Sequence, residues 1–192
     1  MSSAAAPLVS VILPVYNAAS GLGAALSSLW AQRPAPGAPL PPFEVLAVDD
    51  GSTDHSPALL EAAARREPRL RVLRRPHQGI AATLNAGLAA ARGRYLARMD
   101  ADDTTHPERL ARQVAHLDAD PGLHLSAGMV DFGGDAVRAG GFAHFVDWQN
   151  SLRSSEDIAR NRFRDTPVCH PSVMFRRAAV ERWGGYADGD FA

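Results

Sequence analysis

Four short apolar runs, at residues 8–13, 43–48, 70–73 and 95–99, are each followed by a stretch whose apolar residues recur at helical spacing. Each run is too short for a helix and reads as a buried strand. Strands that alternate in this way with helices call for an α/β fold, with a Rossmann-like, mostly parallel sheet and helices on both of its faces. Sheets of that kind bind ligands in the crevice beyond the carboxyl ends of their strands, so the polar residues at those ends are the ones to weigh.

The first run is closed by Pro14, which lacks an amide donor and is expected to end the strand. Leu22, Ala25, Leu26, Leu29 and Trp30 then mark a helix, with Ser20 as its N-cap and Pro34 as its stop. Residues 34–42 form a Pro-rich surface loop inserted into the domain. A second helix is expected over 57–66, started by Thr53, Asp54 or Ser56, and a third over 80–91, ended by Gly93. A fourth runs through Arg109, Leu110, Val114 and Leu117, behind a capping box from Thr105 to Glu108 with Pro107 in its first turn. Past Leu123 the pattern gives a strand near 125–130, Gly-rich irregular chain to about 141, a helix near 151–162 and a strand at 172–175.

The 192 residues, 46% hydrophobic and 21% charged, suit one globular domain over 1–192. A formal net charge of -1 provides no field to draw in nucleic acid. The single cysteine, Cys169, excludes an internal disulfide and fits a cytoplasmic location. Residues 1–7 lack a basic leader, and the apolar stretch at 8–15 is broken by Pro14, well short of the roughly 20 residues of a membrane span. No membrane segment is expected in this chain, though a place against the inner face of the membrane stays open.

Four polar constellations fall where strands end. Pro14, Tyr16 and Asn17 follow the first strand: Tyr16 offers a face for stacking, while Asn17 also suits a plain turn. Asp49 to Asp54 (DDGSTD) follows the second. An Asx-turn and helix cap account for Ser52, Thr53 and Asp54, but two adjacent carboxylates, Asp49 and Asp50, call for a hydrogen-bonding partner such as a nucleoside imide or ribose. Asp100, Asp102 and Asp103 place three carboxylates within four residues at the end of the fourth run. Such crowding of hard oxygen ligands points to Mg2+ or Mn2+, with one aspartate free to reach a ribose. Cys169 and His170 by themselves lack the ligands for zinc.

The stretches Val11 to Asn17, Val48 to Asp54, His77-Gln78-Gly79 with Asn85-Ala86-Gly87, and Asp100 to Asp103 together resemble the family 2 glycosyltransferases in order and spacing, over residues 8 to about 186. The resemblance implies a GT-A-type fold, a nucleotide-diphosphate-sugar donor that is most often UDP-linked, a glycan or glycoconjugate acceptor and inversion at the anomeric carbon, in the setting of polysaccharide assembly. Pro14, Tyr16, Asn17, Asp49, Asp50, Gly79, Asn85, Asp100 and Asp103 would then meet the donor. Asp102 and Asp100 would meet the metal, and His170 the acceptor side.

After Trp183, Gly184, Gly185 and Tyr186 the family continues to an acidic pair that supplies the general base, whereas this chain stops at Ala192. Asp188 and Asp190 are the only nearby carboxylates and lie in sequence that does not match the pattern. The expectation is a domain incomplete at its C-terminus, and a non-catalytic nucleotide-sugar-binding module or fragment is the alternative. A phosphoacceptor or phosphohydrolase centre at Asp49 and Asp50 would leave the aspartates at 100–103 unexplained.

Overall fold

The computed structural model describes residues 6–134 and 140–187. Its strands are β1 (Val9–Val15), β2 (Phe43–Asp49), β3 (Leu70–Arg74), β4 (Tyr95–Arg98), β5 (Leu125–Ser126) and β6 (Met174–Arg176). They form one sheet in the order β3-β2-β1-β4-β6-β5. The first four are parallel to one another, while β6 runs antiparallel to β4 and β5 antiparallel to β6. The helices are α1 (Ala19–Trp30), α2 (Ser56–Ala64), α3 (Ile80–Ala90), α4 (Arg109–Ala119), α5 (Gly140–Ser151), α6 (Ser155–Asn161) and α7 (Arg177–Trp183).

Side chains alternate across the sheet, so each strand feeds two cores. Val9, Val11, Leu13 and Val15 of β1 pack with Leu22, Leu26 and Leu29 of α1, Leu60 of α2, and Leu110 and Leu117 of α4. Ile12, Leu46 and Leu96 point the other way, onto Leu84 and Leu88 of α3, with Val180 of α7 at the border. Helices therefore cover both faces, as expected. Because the chain moves outward from β1 to β2 and β3 on one side, and to β4 on the other, the switch in direction falls between β1 and β4. That is where such sheets open a crevice.

Pro14 does not close β1; it pairs opposite Val48, and the strand continues to Val15. Ile12 turns its carbonyl toward β4, where it accepts from the Met99 amide, and Ile12 and Arg98 are the last β1–β4 pair. The missing N–H of Pro14 points to that same side, beyond the ladder, so nothing is lost. Ser20 is not the cap of α1 either. The cap position is Ala18, and the first amides are met from the next loop: Ala18 N donates to Ser56 Oγ and Ala19 N to Asp54 Oδ2, both at 3.0 Å.

The capping box at Thr105 to Glu108 also fails to form. Helix α4 begins three residues later than such a box requires, at Arg109, and Thr105 Oγ1 is buried without a partner. Gln32 does the work instead, accepting from Leu110 N at 3.0 Å and donating to His106 O at 2.7 Å. Toward the C-terminus the strand expected over 125–130 shrinks to Leu125–Ser126, and the helix expected over 151–162 begins only at Ser155. Helix α5 begins at the end of the stretch read as irregular and fills the unassigned residues before 151, and α7 follows the last strand. Among the described residues no helix is long and apolar enough to cross a membrane.

Candidate functional site

A crevice of about 390 Å3 opens at the carboxyl ends of β1 and β4, between the loops after β1, β2 and β3. Pro14, Tyr16, Asn17, Asp50, Asp100 and Asp102 all line it, and Gly79 and Thr83 of the α3 end complete that wall. Thus most of the residues singled out from sequence converge on one place.

Two of its loops are zipped together by Asn17. Its backbone is left-handed, with φ 49°, a conformation that asparagine tolerates better than most residues. From there Oδ1 accepts from Thr53 N at 2.8 Å and Asp54 N at 3.3 Å, while Asn17 N donates to Ser52 Oγ at 3.0 Å. A plain turn in which Asn17 bonds its own backbone is therefore not what forms: its side chain reaches the loop after β2, from a position on the crevice wall.

Asp49 and Asp50 are both buried, and the protein itself supplies their donors. Asp49 Oδ1 accepts from Ser52 N at 3.0 Å, an Asx-turn that Gly51 completes at φ 75°. The Asp50 carboxylate accepts from Gln78 N at 3.1 Å and Gly79 N at 2.9 Å, and His77 Nδ1 lies 2.8 Å from Oδ2 while also meeting the Asp50 main-chain carbonyl at 3.2 Å. Burial on its own would raise the Asp50 carboxyl, but these amides, the Thr83 hydroxyl and His77 outweigh it and hold the group below the usual carboxylate range. The partners expected from a nucleoside are not needed to satisfy the pair. A phosphoacceptor centre, which needs an open carboxylate, finds none here.

His77 also stacks on Tyr16, with ring centroids 4.2 Å apart and planes 23° from parallel. Tyr16 is 49% exposed, so its face remains accessible at the crevice rim. A flat aromatic surface beside a carboxylate that only accepts hydrogen bonds suits a planar heterocycle with N–H donors.

At the opposite wall Asp100 meets Arg98, which the sequence reading did not single out. Arg98 Nε donates to Oδ1 and Nη2 to Oδ2, each at 3.1 Å, a two-point pair with both carboxylate oxygens occupied. Asp102 is exposed on the crevice. Asp103 lies outside the lining, and burial, followed by the charges of Asp100 and Asp102, pushes its carboxyl up. Gly21 of α1 was missed as well: a Cβ there would stand 2.8 Å from Asp102 Cα and 3.1 Å from Ala101 O, so the close approach of α1 to the acidic turn requires a glycine.

No group of three His, Cys, Asp or Glu side chains converges as a metal cage among the described residues. The donor set nevertheless fits Mg2+ or Mn2+, since such ions are commonly held by one or two carboxylates together with phosphate oxygens and water. Asp102 lines the crevice and is exposed there, whereas both oxygens of Asp100 are engaged by Arg98 and would reach a cation only by leaving it.

His170 opens a single 3-10 turn, His170–Ser172, beside Arg98. Burial and then the Arg98 charge lower its pKa, which keeps the imidazole neutral near pH 7. Arg109, beneath this turn, donates to the Arg98 carbonyl at 2.7 Å, and burial pushes its pKa down to about 10. Asn85 does not line the crevice. It lines a second cavity of about 350 Å3 against α7, and its amide is committed to the main chain of Tyr186. Asp188 and Asp190 lie outside the described residues.

Residues 10–184 match the family model described as Glycosyl transferase family 2. EpsE of Bacillus subtilis (strain 168), whose name assigns it provisionally to the glycosyltransferases, is 30% identical over 183 residues, 94% of this chain and 60% of its own. The succinoglycan biosynthesis protein ExoO of Rhizobium meliloti (strain 1021) is 39% identical over 114 residues, covering 59% of this chain and 30% of its own. Among solved structures, the mannosyltransferase PcManGT from Pyrobaculum calidifontis, in complex with GDP-Man and Mn2+, aligns with a TM-score of 0.69 at 25% identity. That alignment covers 95% of this chain and 48% of that one, and it identifies the fold as GT-A-type. The chain thus spans 60% or less of each of these relatives.

Proposed function

Because the chain belongs to glycosyl transferase family 2, we propose that it is a single nucleotide-sugar-binding domain of an inverting glycosyltransferase of the hexosyltransferase type. The donor would be a nucleotide-diphosphate sugar, UDP-linked in the first instance, and the acceptor a glycan or glycoconjugate. The observation that carries this reading is the shared crevice: Tyr16 and Asp50 on one wall face Asp100 and Asp102 on the other, at the switch between β1 and β4. Support for a nucleotide sugar and a divalent cation comes from the complex of PcManGT with GDP-Man and Mn2+. The name of ExoO favours polysaccharide assembly as the setting. The proposed location is cytoplasmic, peripheral to the inner face of the membrane.

In this reading Tyr16 stacks on the base, and Asp50, ionised because main-chain amides hold it so, accepts from a base N–H. Pro14, Asn17, Asp49 and Gly79 shape that half of the pocket. Asp100, fixed by Arg98, orients the ribose, while Asp103 stands near the sugar. A Mn2+ or Mg2+ ion held by Asp102 and the diphosphate would neutralise the charge that grows on the departing nucleoside diphosphate. The acceptor hydroxyl enters past His170 and attacks the face of the anomeric carbon opposite the leaving group. A general base must take its proton. Asp188 and Asp190 remain weak candidates for that role.

Calorimetric titration of UDP and of GDP into the purified chain, with and without Mn2+, tests the reading. Binding of either nucleotide that requires the metal is expected. If neither binds under any condition, the crevice is not a donor site.

A further inference from the structure

Arg98 stands on β4, two residues before Asp100 and on the same face of the sheet. Its side chain is only 11% exposed, against 29% for that of Asp100, and its guanidinium engages both oxygens of Asp100, so the cation of the pair lies largely out of water. Several elements hold Arg98 in place. The Arg98 amide donates to Val173 O at 3.0 Å, and its carbonyl accepts from buried Arg109. Tyr186 stands close enough for the Arg98 charge to act on its hydroxyl, and its main chain is held by Asn85 of α3.

A guanidinium and a divalent cation compete for the same carboxylate. For Asp100 to turn toward a metal it must abandon a two-point pair and leave a buried cation unpartnered, which is costly. Asp102 has no such restraint, but one carboxylate holds Mg2+ or Mn2+ weakly without phosphate oxygens to complete the shell.

We propose that Arg98 is a built-in counter-cation that reserves Asp100 for positioning and keeps the crevice from binding a divalent cation until a nucleoside diphosphate arrives with it. Tyr186 and Asn85 act through Arg98 as positioning residues. This inference rests on the donor-site reading above. It adds an order to the assembly of that site: metal alone binds poorly, and metal with diphosphate binds well.

The test is the affinity for Mn2+ alone, read from the paramagnetic resonance signal of the free ion, and again with UDP or GDP present. Arg98→Met, which keeps the length of the side chain without its charge, is expected to bind Mn2+ alone at least tenfold more tightly than the parent chain. Arg98→Lys, which keeps the charge but cannot make the two-point pair, should fall between them. Tyr186→Phe should shift in the same direction by less, and adding Asp100→Asn to Arg98→Met should erase the gain. If Arg98→Met does not fold, Arg98→Lys and Tyr186→Phe carry the test.

Equal or weaker Mn2+ affinity in these folded variants, with nucleotide-dependent metal binding intact, overturns the role of Arg98 and leaves the donor-site reading standing. Absence of Mn2+ binding from parent and variants alike, even with UDP or GDP, overturns both.

Discussion

The side-chain amide of Asn85 and the main chain of Tyr186 form a closed pair: Nδ2 donates to Tyr186 O at 2.7 Å, and Tyr186 N donates to Oδ1 at 2.8 Å. Two elements distant in sequence, α3 and the chain leaving α7, are joined there by direct hydrogen bonds. Replacing Asn85 by Ala strands both main-chain groups in a half-buried position. The expected cost is about 2 kcal/mol, or a fall of roughly 4–8 °C in melting temperature for a chain of this size. UDP or GDP binding should survive in the folded variant, because Asn85 does not line the crevice. A melting curve that does not move would show the pair to be energetically idle.

Asp50 gives a dependence on pH whose sign follows from its surroundings. Its folded-state pKa is depressed below the value of 3.8 of a free aspartate, so the folded protein prefers the ionised form. The stabilisation is present in full above the unfolded pKa and is lost as pH falls through the lower, folded one. Urea midpoints of the parent chain should therefore drop between pH 5 and pH 3. Asp50→Asn should be the less stable protein at pH 7 and show a shallower drop. Parallel midpoint curves for the two proteins would remove Asp50 from the acid transition.

Gly21→Ala tests whether α1 sets the height of the acidic turn. The added methyl meets main chain, Asp102 Cα at 2.8 Å and Ala101 O at 3.1 Å, and main chain cannot swing aside as a side chain would. Either α1 tilts or the turn moves, so Mn2+-dependent nucleotide binding should weaken by about tenfold, a change of about 1.4 kcal/mol. Gly23→Ala in the same helix, where a Cβ meets nothing within 4 Å, is the control and should bind as the parent does while gaining helix propensity. Equal binding by the two variants would contradict the proposed contact.

What could be read in advance divides along physical lines. Strands β1, β2 and β4 are buried along their whole length, so their apolar runs announced them. Asp100 to Asp103 stood out because no helix cap or core accounts for three carboxylates in four residues. Arg98 did not stand out: among Leu96, Ala97 and Met99 it reads as one polar residue in a strand, and only the fold brings Tyr186 against it. Beyond its first two residues helix α5 carries no assignment from sequence, because it opens on Gly140 and Gly141, which weaken any helical signal. Gln32 and Ser56 cap helices that lie far from them in sequence, a role no local pattern encodes. Local rules reached the elements and the charge cluster, and long-range partners escaped them.

Asp102→Ala bears most directly on the function. Asp102 is exposed at the crevice, in contrast to Asp100, whose two oxygens are engaged by Arg98. If Asp102 carries the divalent cation, its removal takes away the protein's share of the metal shell and leaves the wall of Tyr16 and Asp50, proposed to meet the base, untouched. UDP or GDP should then bind with the same weak affinity whether Mn2+ is present or absent, a loss of at least tenfold relative to the parent chain with metal. Stability should hardly change, since surface substitutions away from buried partners fall within about 0.5 kcal/mol. Asp100→Ala should behave differently: it leaves the buried Arg98 guanidinium unpaired and is expected to lower the melting temperature as well as the affinity. Calorimetry and thermal melts of the two variants separate a metal ligand from a positioning carboxylate. Undiminished Mn2+-dependent binding in Asp102→Ala would assign the metal elsewhere in the crevice.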